Sequence, residues 1–209
     1  MKKTQLPERI WLASKSPRRQ ELLTQLGVAF DVLQPPVQDT ANSDMIDESI
    51  RPGESANDYV RRLSQEKATY AWQYQLSQKL PLRPVLSADT TVVIDGKILG
   101  KPANQTEAKN MMSALNGRTH QVLTGITVRW HEQSLSTVQV SHVTFCQLDD
   151  ARIDDYTATD EPYDKAGGYG IQGLAGKFIS RIDGSYSSIM GLPLYETAEL
   201  LRKIGMDIK

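Results

Sequence analysis

Asp89 sits inside an apolar, β-branched run, Leu86 to Ile94, bounded by Pro84 and by Asp95-Gly96. A carboxylate in such a run is costly unless something pairs with it or uses it. It could bind a divalent cation or take a proton from water, and both roles suit phosphoryl or nucleotidyl chemistry. Near the start of the chain, Ser14-Lys15-Ser16-Pro17-Arg18-Arg19 follows a short strand and opens a helix. Free N–H groups at a helix start favour anions, and two guanidinium forks match phosphate oxygens. Three lysines have suggestive settings. Lys67 lies on or beside the apolar stripe of a long helix, Lys101 stands between Gly100 and Pro102 at a strand exit, and Lys165 follows Asp164 at the mouth of a glycine-rich loop. A triphosphate carries about four negative charges, so an enzyme acting on one needs cations at several points. Any one of these lysines taken alone reads as a solvated surface group; with Asp89 and the arginines they point to a phosphorylated substrate.

Glu48, in Ile46-Asp47-Glu48-Ser49, is the candidate to complete a metal site with Asp89. His120, His131 and His142 have no ligand spacing, and Cys146, at the end of a β run, reads as a packing residue. No Walker-type loop occurs. The formal net charge of −1 argues against a general nucleic-acid binder, so an anion site must be local. A single cysteine allows no internal disulfide and fits a reducing cytosol. The first residues show no apolar leader segment, and no run approaches the roughly 20 apolar residues of a membrane span. The expectation is a cytoplasmic protein without membrane or nucleic-acid partners.

The elements that must position these groups follow from periodicity and punctuation. Ile10 to Ala13 reads as a strand, and Pro17 as a first helical position capped by Ser14 or Ser16, with Gly27 ending the helix. Phe30 to Leu33 is a second strand, and the polar stretch from Gln34 to Gly53 an exposed loop. Glu54-Ser55 opens a long amphipathic helix with Tyr59, Val60, Leu63, Lys67, Ala71 and Tyr74 on roughly one side. The run holding Asp89 turns at Asp95-Gly96 into Ile98-Leu99, and at most one of Thr90 and Thr91 shares the face of Asp89. Asn104 and Glu107 form a capping box for a helix ending at Gly117. Val122 to Trp130 and Thr137 to Phe145 form a hairpin, and Asp149 to Thr159 a short helix. A glycine-rich loop runs from Ala166 to Gly176, followed by a strand at Phe178 to Ile182, a turn at Gly184-Ser185 and a last helix from Pro193 to Ile204. The pattern predicts an α/β fold with a mixed sheet.

The chain resembles the Maf proteins. The resemblance rests on Leu12-Ala13-Ser14 through Arg19, Ile46-Asp47-Glu48, Val60 through Ala68, Ala88-Asp89-Thr90, Gly100-Lys101-Pro102, Asp164 to Gly167, Tyr169 to Gly173 and Gly191-Leu192-Pro193, in order over nearly the full length. It implies a fold similar to the inosine triphosphate pyrophosphatases, a long mixed sheet with flanking helices and two lobes around a nucleotide cleft, in one domain spanning residues 1–209. It also implies hydrolysis of a nucleoside triphosphate to the monophosphate and pyrophosphate with a divalent metal, Mg²⁺ or Mn²⁺. Asp89 falls on the position of the proton acceptor, and Arg19, Thr90 and Gln172 on the three positions associated with substrate choice. Ser14, Arg18, Lys67, Lys101 and Lys165 are the implied substrate-binding groups, and Glu48 the implied metal partner. One subgroup, preferring 7-methyl-GTP, has S-P-W-R-R, S-D-Q and K-S-E-G elements; S-P-R-R, A-D-T and G-I-Q-G here are similar to the subgroup acting on dTTP and UTP. The stretch from Gln34 to Met45 is longer than the family usually has before its acid pair. A nucleotide-binding regulator of cell division without turnover is the alternative reading. The choice between normal and modified pyrimidine nucleotides stays open, as does the oligomeric state, a homodimer included.

Overall fold

The computed structural model describes residues 7–35 and 46–208. Residues 1–6, most of the long stretch before the acid pair (residues 36–45) and residue 209 lie outside them. In chain order the elements are β1 (Arg9–Leu12), α1 (Pro17–Gln25), β2 (Ala29–Val32), α2 (Ala56–Ser77), β3 (Val85–Ile94), β4 (Lys97–Leu99), α3 (Gln105–Leu115), β5 (Thr119–Trp130), β6 (Gln133–Phe145), α4 (Asp150–Thr157), β7 (Ile179–Asp183), α5 (Tyr186–Ile189) and α6 (Leu194–Lys203). Seven strands make one mixed sheet in the order β2-β1-β3-β5-β6-β7, with β4 paired to β3 beyond the end of β1. The pairs β1–β2 and β1–β3 are parallel and the rest antiparallel. The expected α/β class with helices flanking a long mixed sheet is what the chain adopts.

Local chemistry accounts for most element ends. Ser16 caps α1 by accepting from the Arg19 N–H at 3.4 Å, with Pro17 at the first helical position. Ser55 caps α2 in the same way at Asp58. Asn104 accepts from the Glu107 N–H at 3.0 Å, while the Glu107 carboxylate reaches back to Ala103 N–H at 2.9 Å. At the β3–β4 turn, Asp95 and Gly96 both have positive φ, 50° and 73°, which a two-residue hairpin of the primed type demands. The β5–β6 hairpin is longer than the sequence pattern suggests, with β6 starting at Gln133 rather than Thr137. Its early residues are polar because that end of the strand is exposed or half-buried, which erases the apolar alternation.

The feature that creates a site is an interruption along β3. β1 pairs with β3 at Trp11↔Val85 and Leu12↔Leu86, and β4 pairs with it at Val92 to Ile94. Between them the outer edge of β3, from Ser87 to Thr91, has no strand partner among the described residues, while β5 pairs with its inner edge throughout. The core divides at the same place. Leu86 and Ala88 belong to a cluster with Ile10, Leu12, Leu192 and Leu201, whereas Val92 and Ile94 belong to another with Met112, Leu115, Phe145 and Phe178. Two packed masses therefore flank the unpaired stretch.

Helix α2 lies against β3 and β5 with Val60, Leu63, Ser64, Ala68, Ala71, Trp72 and Gln75 buried. Its approach depends on Gly125, the residue directly opposite Asp89 in the β3–β5 register. A Cβ there would stand 2.7 Å from the Val60 carbonyl carbon and closer still to its oxygen. Gly125→Val should therefore push α2 off the sheet, lower stability by about 1–3 kcal/mol and reduce turnover at least tenfold. Chemical denaturation and steady-state rates measure both; a variant as stable and active as the wild type would contradict this packing account.

His120 is buried at 2% exposure, with Nε2 2.6 Å from the Tyr169 hydroxyl and Nδ1 without a partner. Burial lowers its pKa from 6.5 to about 4. The ring is neutral in the folded protein where the unfolded chain would bind a proton, so stability is whole above pH 6.5 and is lost as pH falls towards 4. Between pH 7.5 and 5 this group alone should remove about 2 kcal/mol, measured by urea unfolding at the two pH values. His120→Phe should lack that component; an unchanged pH dependence in the variant would assign it elsewhere.

Candidate functional site

The unpaired edge of β3 opens into a cleft of about 680 Å³, within the range of small-molecule sites. Asp89 and Thr90 both line it, although neighbours on a strand point to opposite faces. The reason is that the cleft lies beyond the strand's edge, where groups from both faces arrive.

On the α2 face, Lys67 Nζ donates to Asp89 Oδ1 at 2.6 Å and pairs with Glu48 Oε1 at 2.7 Å. Helical periodicity places Tyr59, Leu63 and Lys67 along one line of α2, beside the buried face that continues through Ala68, Ala71 and Trp72. Asp89 is only 13% exposed at its side chain. Burial works against the Lys67 charge, but Asp89 and Glu48 outweigh it and hold the ammonium above its ordinary pKa. Partial burial pushes the Glu48 carboxyl up, and the Lys67 hydrogen bond and the charges of Lys67, Lys101 and Arg19 overcome this to hold it down. Tyr59 donates to the Glu48 carbonyl at 2.9 Å and has its hydroxyl pushed up to about 12, by burial first and then by Asp89 and Glu48.

On the other face, Arg19 is held at three points. Its Nε donates to the Gly191 carbonyl at 2.9 Å, Nη1 to Ser14 Oγ at 3.2 Å and Nη2 to Thr90 Oγ1 at 3.3 Å. Burial lowers its pKa, opposed by the charge of Asp89. Arg18 points to the rim, where Nη1 lies 3.8 Å from Asp164 Oδ2. Lys165 pairs with Asp164 and donates to the Glu161 carbonyl at 2.8 Å. Lys101 is exposed on the cleft lining, and the Gly100 carbonyl beside it accepts from Gly167 N–H at 2.9 Å, tying the strand exit to the glycine-rich loop. Gln172 is exposed on that loop and also lines the cleft.

The structure thus brings Arg18, Arg19, Glu48, Lys67, Asp89, Thr90, Lys101, Lys165 and Gln172 to one cleft. Ser14 is not on its wall; its hydroxyl accepts from Arg19 and from the Ser16 N–H, and Ser16 lines the cleft instead. Two contributors escape the sequence reading. Tyr59 shares the α2 line of Lys67, a signal that was present but reads as core. Glu161 accepts from Leu174 and Ala175 N–H at 2.6 and 3.2 Å and from the Tyr156 hydroxyl at 3.1 Å, so its carboxylate stitches the glycine-rich loop together. Nothing local in Asp160-Glu161-Pro162 announces that role.

A cleft with two carboxylates bridged by a lysine, and with guanidinium and ammonium groups on separate walls, defines an anion-binding site equipped for acid–base or metal-assisted chemistry. The family model described as Maf-like protein matches residues 9–204. The chain belongs to the Maf family. It is 49% identical over 200 residues to a dTTP/UTP pyrophosphatase of Bordetella avium (strain 197N), covering 96% of this chain and 97% of the relative. A dTTP/UTP pyrophosphatase of Cupriavidus metallidurans is 49% identical over 197 residues, 94% of this chain and 97% of the relative. One from Chromobacterium violaceum is 48% identical over 200 residues, 96% of each.

Lys67→Met leaves Glu48 and Asp89 facing each other with no cation between them. The acid limb of the pH–rate profile should then move up by about one pH unit, because the Glu48 carboxyl loses the hydrogen bond and charge that hold it down, and turnover should fall at least tenfold. An unmoved acid limb would mean that activity does not depend on the hold of the lysine on Glu48.

Proposed function

We propose that this protein hydrolyses dTTP and UTP to the monophosphate and pyrophosphate. The observation that carries the reading is Asp89 on the cleft wall, held by Lys67 within a ring of cations, in a chain whose relatives carry that activity in their names over almost the whole length. Water attacks the α-phosphorus in line with the bond to the α,β-bridging oxygen; that bond breaks, and its electron pair leaves with pyrophosphate. Asp89 Oδ1 is occupied by Lys67, which leaves Oδ2 to accept the water's proton. Arg18, Lys67, Lys101 and Lys165 hold the triphosphate and offset charge on the departing pyrophosphate. Arg19, Thr90 and Gln172 meet the base and its surroundings, where a glutamine amide both donates and accepts.

A divalent cation, Mg²⁺ or Mn²⁺, fits the donor set in kind. Glu48 and Asp89 are hard oxygen ligands within reach of one ammonium, and each has its second oxygen without a partner among the described residues. No group of three or more metal-ligating side chains occurs among the described residues, so phosphate oxygens and water would complete the coordination. When bound, the ion supplies charge neutralisation at the phosphates; Glu48 and Asp89 would hold it. The same reading places the enzyme in the cytoplasm with its nucleotide substrate and treats residues 1–209 as one pyrophosphatase domain, a homodimer of which would carry two such clefts. No helix among the described residues is long and apolar enough to cross a membrane.

A regulator without turnover would have no use for a carboxylate beside the phosphates, where like charge opposes binding. Asp89→Asn separates the readings. With dTTP and Mg²⁺ or Mn²⁺, pyrophosphate release should drop at least about 100-fold while nucleotide binding persists. Release near the wild-type rate would end the catalytic assignment of Asp89, and no release by the wild type would favour the regulator.

A further inference from the structure

The hydrogen bonds around Thr90 have a direction that only one arrangement of protons satisfies. Thr124 stands opposite Thr90 in the β3–β5 register and is fully buried. Its hydroxyl lies 2.8 Å from the Ser188 carbonyl oxygen, which can only accept, so the Thr124 proton is spent there. The Thr90 and Thr124 oxygens are 2.9 Å apart, and one proton must lie between them. With Thr124's committed, it is the Thr90 proton. Thr90 then faces everything else as an acceptor, and Arg19 Nη2 donates to it at 3.3 Å. Of the five guanidinium N–H groups of Arg19, three are held by Gly191, Ser14 and Thr90. This wall of the cleft thus presents an oriented acceptor, the remaining Thr90 lone pair, beside oriented donors on Arg19.

We propose that Thr124 is a positioning residue for substrate choice: by fixing the Thr90 hydroxyl as an acceptor, it makes the cleft read a hydrogen-bond donor on the pyrimidine, the ring N3–H of a thymine or uracil imide, while Arg19 donates to the adjacent carbonyl. This rests on the reading that Thr90 and Arg19 meet the base. The fit follows from the imide edge, where a carbonyl acceptor and the N–H donor sit side by side. A base without that N–H leaves the Thr90 lone pair buried against an acceptor or an apolar group, and a site built to bond a donor rejects an analogue lacking it.

The test compares kcat/KM for dTTP with that for its N3-methyl analogue in wild type, Thr124→Val and Thr124→Ser. Valine keeps the volume and removes the hydroxyl. The Ser188 carbonyl keeps the Gly191 N–H at 2.8 Å, so the change leaves no orphaned carbonyl, while Thr90 is freed to turn its proton into the cleft. Wild type should prefer dTTP strongly. In T124V that preference should shrink about tenfold or more, with dTTP losing through KM rather than kcat, and T124S should restore it. Steric exclusion of the methyl group does not involve Thr124, so an undiminished preference in folded T124V overturns the inference, as does a T124S variant behaving like T124V. If T124V does not fold, Thr124→Ala takes its place with the same expected result. Wild-type turnover of both nucleotides at equal rates overturns the inference and leaves the pyrophosphatase reading standing. Absence of wild-type turnover with any pyrimidine triphosphate defeats that reading and the inference with it.

Discussion

The site depends on a strand that is paired continuously on one edge and interrupted on the other. β5 holds β3 over nine residue pairs, which orders the backbone of Ala88 to Thr91 from one side. The opposite edge loses β1 after Leu86 and gains β4 only at Val92. A ligand can approach there without displacing any strand, and the backbone it meets is already ordered. Rigid support behind and open space in front is the arrangement in which positioned groups contribute most to a reaction, because little reorganisation remains when the substrate arrives.

Electrostatics in the cleft are compensated internally, which explains how a chain with a net charge of −1 holds so many cations in one place. Lys67 is matched by Glu48 and Asp89, and Asp164 is shared by Arg18 and Lys165. These pairs differ in character. The Lys67–Asp89 pair is largely shielded from water, where opposite charges interact at several kcal/mol rather than the fraction of a kcal/mol typical of the surface. Asp164 is 65% exposed at its side chain, so its hold on the two cations is weak.

Much of this was legible in the sequence, for identifiable reasons. Asp89 stood out because a carboxylate in a β-branched run breaks the pattern, and Lys67 because a cation on or beside an apolar helical stripe does the same. Ser16-Pro17 and Asp95-Gly96 announced their cap and turn through local backbone chemistry. What stayed hidden lacked such a contrast. Thr124 is one β-branched residue among several in β5, and its importance comes from the Ser188 carbonyl 64 residues away. Glu161 bonds amides of Leu174 and Ala175, a relation no local spacing encodes. Gly125 reads as a weak point in a strand until α2 is placed against it.

The interrupted strand also separates two tasks. Asp89 points to the face covered by α2, where Lys67 and Glu48 wait; Thr90 points to the face of α1 and α5, where Arg19 and the Thr124–Ser188 chain wait. Among the described residues the two sets share no hydrogen-bond partner, but they are coupled through charge, since Asp89 and Glu48 both act on the Arg19 guanidinium. On the proposed reading the α2 face meets the phosphates and the Arg19–Thr90 face the base, so a change of charge on either face is felt by the other. Adjacent residues of one strand, Asp89 and Thr90, reach the same cleft because it lies at the strand's edge, where its two faces meet.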